Sequence, residues 1–218
     1  MLISHSKNFI FVHNYKVAGT SIRYALDKYA DRSFIRASIK SKLNHLVGKY
    51  PNIYSENFNL HSKALELKDE LPEEIFSSYF KFGFVRNPWD WEVSLYTYMK
   101  KKKDHRQRDV ALGFKDFDEY IDWRVNEDLH FQKDFFYDKQ GNKLVDYIGK
   151  FETIREDFGH ICKKIGIEGI ELPHTNQSKK QSYLTYYSEK TLDIVYEALK
   201  PDIELFGYEK PKLPVENP

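Results

Sequence analysis

Asn8-Phe9-Ile10-Phe11-Val12-His13 (NFIFVH) runs directly into Asn14-Tyr15-Lys16-Val17-Ala18-Gly19-Thr20-Ser21 (NYKVAGTS). The first six residues are an apolar and aromatic run of the kind that makes a short buried strand, and the segment Ser21 to Tyr29 is amphipathic. Strand, polar turn and helix therefore follow one another. Such a turn is an anion cradle, because free N–H groups at a helix start lie at the positive end of the helix dipole. Gly19 allows close approach to the backbone, Thr20 and Ser21 bring hydroxyl donors, and Lys16 brings a full charge. The competing reading is an ordinary turn in which Thr20 or Ser21 merely caps the helix. A nucleoside-triphosphate loop, G-x-x-x-x-G-K followed by Ser or Thr, is not met, since Lys16 precedes Gly19 by three positions.

The same grammar recurs at Tyr79 to Arg86 (YFKFGFVR), a strand that must end at Arg86-Asn87-Pro88 because the residue before a proline is pushed out of the helical region. Asp90 is the predicted N-cap of the next helix, in which Val93, Leu95, Tyr96 and Met99 fall at mostly helical spacing. Arg86 at the strand end can grip a phosphate through two parallel hydrogen bonds, and Ser94, eight residues on, can reach the same oxygens. Between the two loops, Ser33 to Asn59 is weakly patterned, and Ser62 to Leu71 and Pro72 to Ser78 are predicted short helices. Beyond them, Phe114 to Val125 has helical periodicity and Leu144 to Phe151 reads as a strand. Thr153 to Ile165 is an amphipathic helix stopped by Gly166, and a last helix, Ser188 to Leu199, is closed by Pro201. Alternating strands and helices predict an α/β domain with a mainly parallel sheet and ligand sites beyond the carboxyl ends of its strands.

At 218 residues the chain is expected to be one domain, residues 1–218, large enough to bury a continuous core. Hydrophobic residues make up 41% and charged residues 31%, and no stretch approaches the ~20 apolar residues of a membrane span. The N-terminal stretch does not read as a signal peptide, and the single cysteine, Cys162, falls in the apolar pattern of a helix. Together these point to a reducing, cytoplasmic location. Net charge is +1 from 34 basic and 33 acidic residues, so no global field steers the molecule onto nucleic acid or an anionic membrane, and any anion must be bound locally. Lys100 to Lys103, with Arg106 and Arg108, reads as the solvated end of a helix or as an attractor for an acidic glycan. The 16 Tyr and 16 Phe suit a core rich in aromatics, and equally stacking on sugar rings or adenine.

Together, HNYKVAGTS and FVRNPWDW with its following Ser94 resemble the loops HIPKTAGTS and FVRNPWDR plus Ser of the sulfotransferases that use 3′-phosphoadenosine-5′-phosphosulfate (PAPS), in particular the carbohydrate sulfotransferase group. The likeness extends through Lys150-Phe151-Glu152, His174 to Ser178 and Tyr196 to Tyr208. Departures are Tyr15 in place of Pro, Val17 in place of a frequent Thr, and Trp91 in place of a frequent Arg. The resemblance implies a P-loop, nucleotide-kinase-like three-layer fold with a central mainly parallel sheet flanked by helices. It implies that Lys16, Ala18, Gly19, Thr20 and Ser21 hold the 5′-phosphosulfate and that Arg86 and Ser94 hold the 3′-phosphate. PAPS is then the donor, PAP the product, and no metal is required.

Sulfuryl transfer needs in-line geometry, stabilisation of the leaving oxygen and removal of the acceptor's proton. Lys16 suits the leaving oxygen. Among eight histidines, His61 is the predicted base, because related sequences often carry a His between the two loops; the competing reading is a surface His at a helix start. His13 is expected to shape the first loop. Glu152, His130 and Gln132 are expected to face the acceptor over the Phe114 to Tyr137 region, and Asn176, Ser178 and Lys179 to close over the nucleotide. The expected activity is transfer to a hydroxyl of a glycan or glycoconjugate. Two alternatives stand beside it: a non-catalytic module that binds PAP, and an ATP-dependent kinase.

Overall fold

In the computed structural model, residues 1–30, 58–172 and 182–214 are described. Almost all of the weakly patterned segment 33–59, and the polar segment with His174, Asn176, Ser178 and Lys179, lie outside them. The described residues form two compact units, one drawn from residues between 1 and 85 and between 134 and 172, the other from 86–133 and 182–214.

The first unit is built on a sheet of four strands in the order β1 (Leu2–Ser4), β2 (Phe9–Phe11), β3 (Phe80–Val85) and β4 (Tyr147–Lys150). β1 pairs antiparallel to β2, and β2, β3 and β4 are parallel, with Phe9 opposite Phe80 and Phe84 opposite Gly149. Alternation puts Phe9, Phe11, Phe82 and Phe84 on one face, all fully buried. Against them pack Ile22 and Leu26 of α1 (Gly19–Leu26) and Phe158, Ile161 and Cys162 of α7 (Ile154–Lys164). Cys162 is the small core residue its pattern predicts, its thiol pushed up to about 11 by burial and so kept from acting as a thiolate. On the other face, Gly83 is required because a Cβ there would lie 2.2 Å from the ring of Phe136. Two short helices, α2 (Ala64–Glu70) and α3 (Glu73–Ser78), precede β3.

The second unit is helical: α4 (Pro88–Lys101), α5 (Arg108–Gly113), α6 (Phe117–Glu127), α8 (Glu189–Ala198) and α9 (Lys200–Phe206). Its core gathers Trp89, Val93 and Tyr96 of α4, Tyr120 and Ile121 of α6, Leu192 and Val195 of α8, and Ile203 of α9. Glu92 is buried in it, accepting from the Tyr120 hydroxyl at 2.6 Å and from Arg124 Nε at 3.1 Å. Removing one member of such a pair strands the other's charge, at roughly 3–5 kcal/mol. Trp91, one of the departures from the family pattern, is buried with the Arg124 guanidinium 5.7 Å from its ring centre. No described helix is long and apolar enough to cross a membrane.

Three sequence expectations need correction. Asn87, not Asp90, caps α4: its side chain accepts from the N–H groups of Trp89 and Asp90, and Pro88 takes the first helical position. Pro201 does not end the last helix but opens α9, where a missing N–H costs nothing. The strand predicted over Leu144 to Phe151 is only Tyr147–Lys150, because Leu144 donates instead to the Phe136 carbonyl. The sequence pattern also missed β1 and α5. Gly166 does end α7, in the left-handed conformation, with Ile167 N–H returning to the Cys162 carbonyl.

Candidate functional site

The turn from β2 into α1 is built by its backbone. Lys16 and Ala18 both have left-handed φ, 59° and 58°, which an L-residue adopts at a cost of about 1–2 kcal/mol each. Strain of that kind persists only where the surroundings impose it. Three features impose it here. The Val17 side chain between the two is fully buried in the core, so position 17 faces inward and its lost hydroxyl is exchanged for apolar burial. Asn14, fully buried, accepts from the Tyr15 N–H at 2.7 Å and donates to the Phe84 carbonyl of β3. The His13 ring, stacked on Phe11, closes over Gly19 so tightly that a Cβ at 19 would lie 1.7 Å from His13 Nε2. The helix that follows has Ala18 at its N-cap position, with no side-chain cap among the described residues and no acidic residue in its first turn. Its N-terminal N–H groups, with Lys16 half-buried and Thr20 exposed beside them, form a positive end suited to an anion.

His61 belongs to the same unit. It sits in a turn closed by Ser62 N–H on the Asn59 carbonyl and by Asn59 N–H on Ser62 Oγ. Its Nδ1 is 2.8 Å from the His13 carbonyl oxygen. A carbonyl only accepts, so Nδ1 carries the proton and Nε2 carries the lone pair. The His61 ring also touches the His13 ring, at 4.5 Å between centres, and the Tyr15 ring, at 4.1 Å. Burial pushes His61 down to about 4, against the raising effect of the bond to His13, and burial also pushes His13 down to about 2. Both imidazoles are therefore neutral at pH 7, and His61 is a free-base imidazole with an oriented Nε2.

Arg86, the first residue beyond β3, belongs to the helical unit and is fixed differently. Its backbone N–H donates to Gln132 Oε1 at 3.0 Å and its carbonyl accepts from Gln132 Nε2 at 2.8 Å, so a buried amide stands in for a neighbouring strand. Gln132 is itself held by Asp202, whose carboxylate accepts from the N–H groups of Gln132 and Lys133. The Arg86 guanidinium pairs with Asp90 through Nε at 2.8 Å and a terminal nitrogen at 2.6 Å. Asp90 and half-buried Ser94 lie one turn apart on one face of α4, and the Arg86 guanidinium reaches that face through Asp90.

The remaining candidates are scattered. Glu152 is exposed two residues beyond β4. His130 is exposed, its Nε2 3.4 Å from Asp128. Gln132, expected to face the acceptor, is fully buried and its amide is engaged with Arg86. Sequence reasoning passed over Asn14, the stacking of Tyr15 and the Asp202 brace. An Asp just after Pro201 was a legible helix-start signal, but its hydrogen-bond partners lie about 70 residues away in the chain.

The sulfotransferase family model matches residues 1–209. The chain is 28% identical over 178 residues to carbohydrate sulfotransferase 10 of Xenopus laevis, covering 72% of this chain and 50% of that protein. It is 23% identical over 187 residues to carbohydrate sulfotransferase 10 of Danio rerio, covering 72% and 49%. An uncharacterized protein of Archaeoglobus fulgidus is 30% identical over 104 residues, covering 48% of this chain and 82% of that one. The chain thus spans about half the length of the carbohydrate sulfotransferases it matches.

Proposed function

This chain belongs to the sulfotransferase family, and from that premise we propose that it moves a sulfuryl group from PAPS to a hydroxyl of a carbohydrate. The observation that carries the proposal is the turn after β2: two left-handed residues leading into a helix start without a side-chain cap, with a lysine in the turn and no acid in the first helical turn. That donor set suits a phosphate, and Gly19 lets the His13 ring close over the turn, where a Cβ would strike it.

PAPS supplies a sulfur joined through a bridging oxygen to a good leaving phosphate. In this reading Lys16, Ala18, Gly19, Thr20 and Ser21 hold the 5′ end, and the Lys16 ammonium offsets negative charge on the departing oxygen. Arg86 and Ser94, following the family resemblance, hold the 3′-phosphate through their side chains. His61 Nε2 takes the proton of the acceptor hydroxyl as that oxygen bonds to sulfur, and its prior neutrality leaves the lone pair ready at pH 7. Glu152 and His130, both exposed, remain the acceptor-facing residues in the proposal, whereas Gln132 serves as the brace of Arg86. The relatives' names are what favour a glycan as acceptor.

Purified protein incubated with radiolabelled PAPS and a panel of glycans, lipids and small alcohols is expected to label a glycan. His61→Ala should lower transfer by roughly 10²–10⁴-fold while leaving PAP affinity, read by calorimetry, close to that of the parent. Lys16→Ala and Arg86→Ala should each weaken PAP binding. Unchanged PAP affinity in both would overturn the assignment of the two loops, and PAP binding without transfer to any acceptor would favour the non-catalytic alternative.

A further inference from the structure

We infer that Tyr15 is a positioning residue for His61, an inference that rests on reading His61 as the base. Position 15 is a tyrosine here, where the loop this chain resembles has proline. The structure gives that ring a definite employment. Its centre is 4.1 Å from that of His61, at an interplanar angle of 36°. Tyr15 is itself held from two sides: its ring meets the buried Phe135 edge-on at 5.4 Å, and its N–H is clamped by Asn14, which is anchored to β3.

The physical need is plain. The hydrogen bond from His61 Nδ1 to the His13 carbonyl fixes which nitrogen carries the proton, yet one bond at one corner leaves the imidazole free to swing about its side-chain torsions. A base must keep its lone pair within hydrogen-bond reach of the proton it removes, and a displacement of about 1 Å costs on the order of a hundredfold in rate. The Tyr15 ring, together with the His13 ring at 4.5 Å, removes that swing and leaves Nε2 as the one basic corner. A proline ring lacks the flat aromatic face for this contact.

Three substitutions test this, each checked first for PAP affinity and thermal unfolding: Tyr15→Phe, Tyr15→Ala and Tyr15→Pro. Heteronuclear NMR of the histidine ring nitrogens reports whether His61 keeps a single tautomer with Nδ1 protonated. Tyr15→Phe should keep that signature and the parent kcat. Tyr15→Ala and Tyr15→Pro should shift the His61 nitrogens toward averaged, mixed-tautomer values and lower kcat by roughly tenfold to a hundredfold, with PAP affinity maintained. If Tyr15→Ala is unstable, Tyr15→Leu serves, since it fills space without an aromatic face. Parent His61 nitrogen shifts in both Tyr15→Ala and Tyr15→Leu would overturn the inference. The spectroscopic readout needs no turnover, so it separates a failure of this inference from a failure of the base assignment, which His61→Ala decides independently.

Discussion

The turn after β2 and the turn after β3 carry the same strand, loop and helix grammar but are finished in opposite ways. The first leaves its helix start without a side-chain cap among the described residues and places two residues in a strained backbone conformation. The second is satisfied by its own side chains: Asn87 caps α4, Asp90 pairs with Arg86, and Gln132 and Asp202 brace the chain behind it. An anion at the first turn would be met chiefly by backbone N–H groups and Lys16, and at the second only by side chains. The lesson is that two loops with similar motif grammar can be completed by different physics, a preorganised backbone turn in one and a held guanidinium in the other.

Four measurements sharpen or break the contrast. The largest effect is expected on lowering pH, through the sheet unit's histidine pair. His13 and His61 have folded-state values below the ordinary 6.5, so the unfolded chain binds the extra protons. Their contribution to stability is therefore complete above about pH 6.5 and falls as pH drops, through about 4 for His61 and about 2 for His13. The slope is about 1.4 kcal/mol per pH unit for each group. Urea unfolding between pH 7 and 5 checks this, and His61→Gln should flatten the dependence.

Next in size, Gly19→Ala drives a Cβ into the His13 ring and should cost about 1–3 kcal/mol, together with PAP affinity, because the ring is already packed against Phe11 and His61. An unchanged unfolding midpoint would mean the first turn is not held as tightly as its geometry indicates. Asn87→Ala removes the cap of α4 and should cost about 1 kcal/mol by denaturant unfolding, since two N–H groups lose their acceptor. The smallest effect belongs to Ala18→Gly, which relieves the left-handed strain but loosens the unfolded chain, for a net gain of about 0.5 kcal/mol or less. A loss there would show that the methyl group of Ala18 is needed for packing. The opposite signs at Asn87 and Ala18 are the direct signature of side-chain against backbone construction.

Much of the scaffold was legible from local signals. Apolar runs at Phe9–Phe11 and Phe80–Val85 and the periodicity behind α1, α4 and α7 placed the elements of the parallel sheet and its flanking helices. Gly19 and Gly166 were legible because a glycine in a turn or after an amphipathic run marks close approach or a left-handed stop. The errors at Asp90, Pro201 and Leu144 arose where two local readings competed and hydrogen-bond geometry chose. For Asn87 and Asp90 both are good caps, but only Asn87 precedes a proline at the first helical position.

By itself the sequence determined the strand, loop and helix order at both turns and the residue types each turn offers, because these follow from period, turn chemistry and charge over a few neighbouring residues. The tertiary structure alone decided that His61 is neutral with its proton on Nδ1, that Tyr15 lies on its ring, and that Asp202 and Gln132 hold Arg86 from behind. Burial, tautomer and brace depend on groups tens of residues apart brought within about 3–5 Å, and no local pattern encodes which distant partner will arrive.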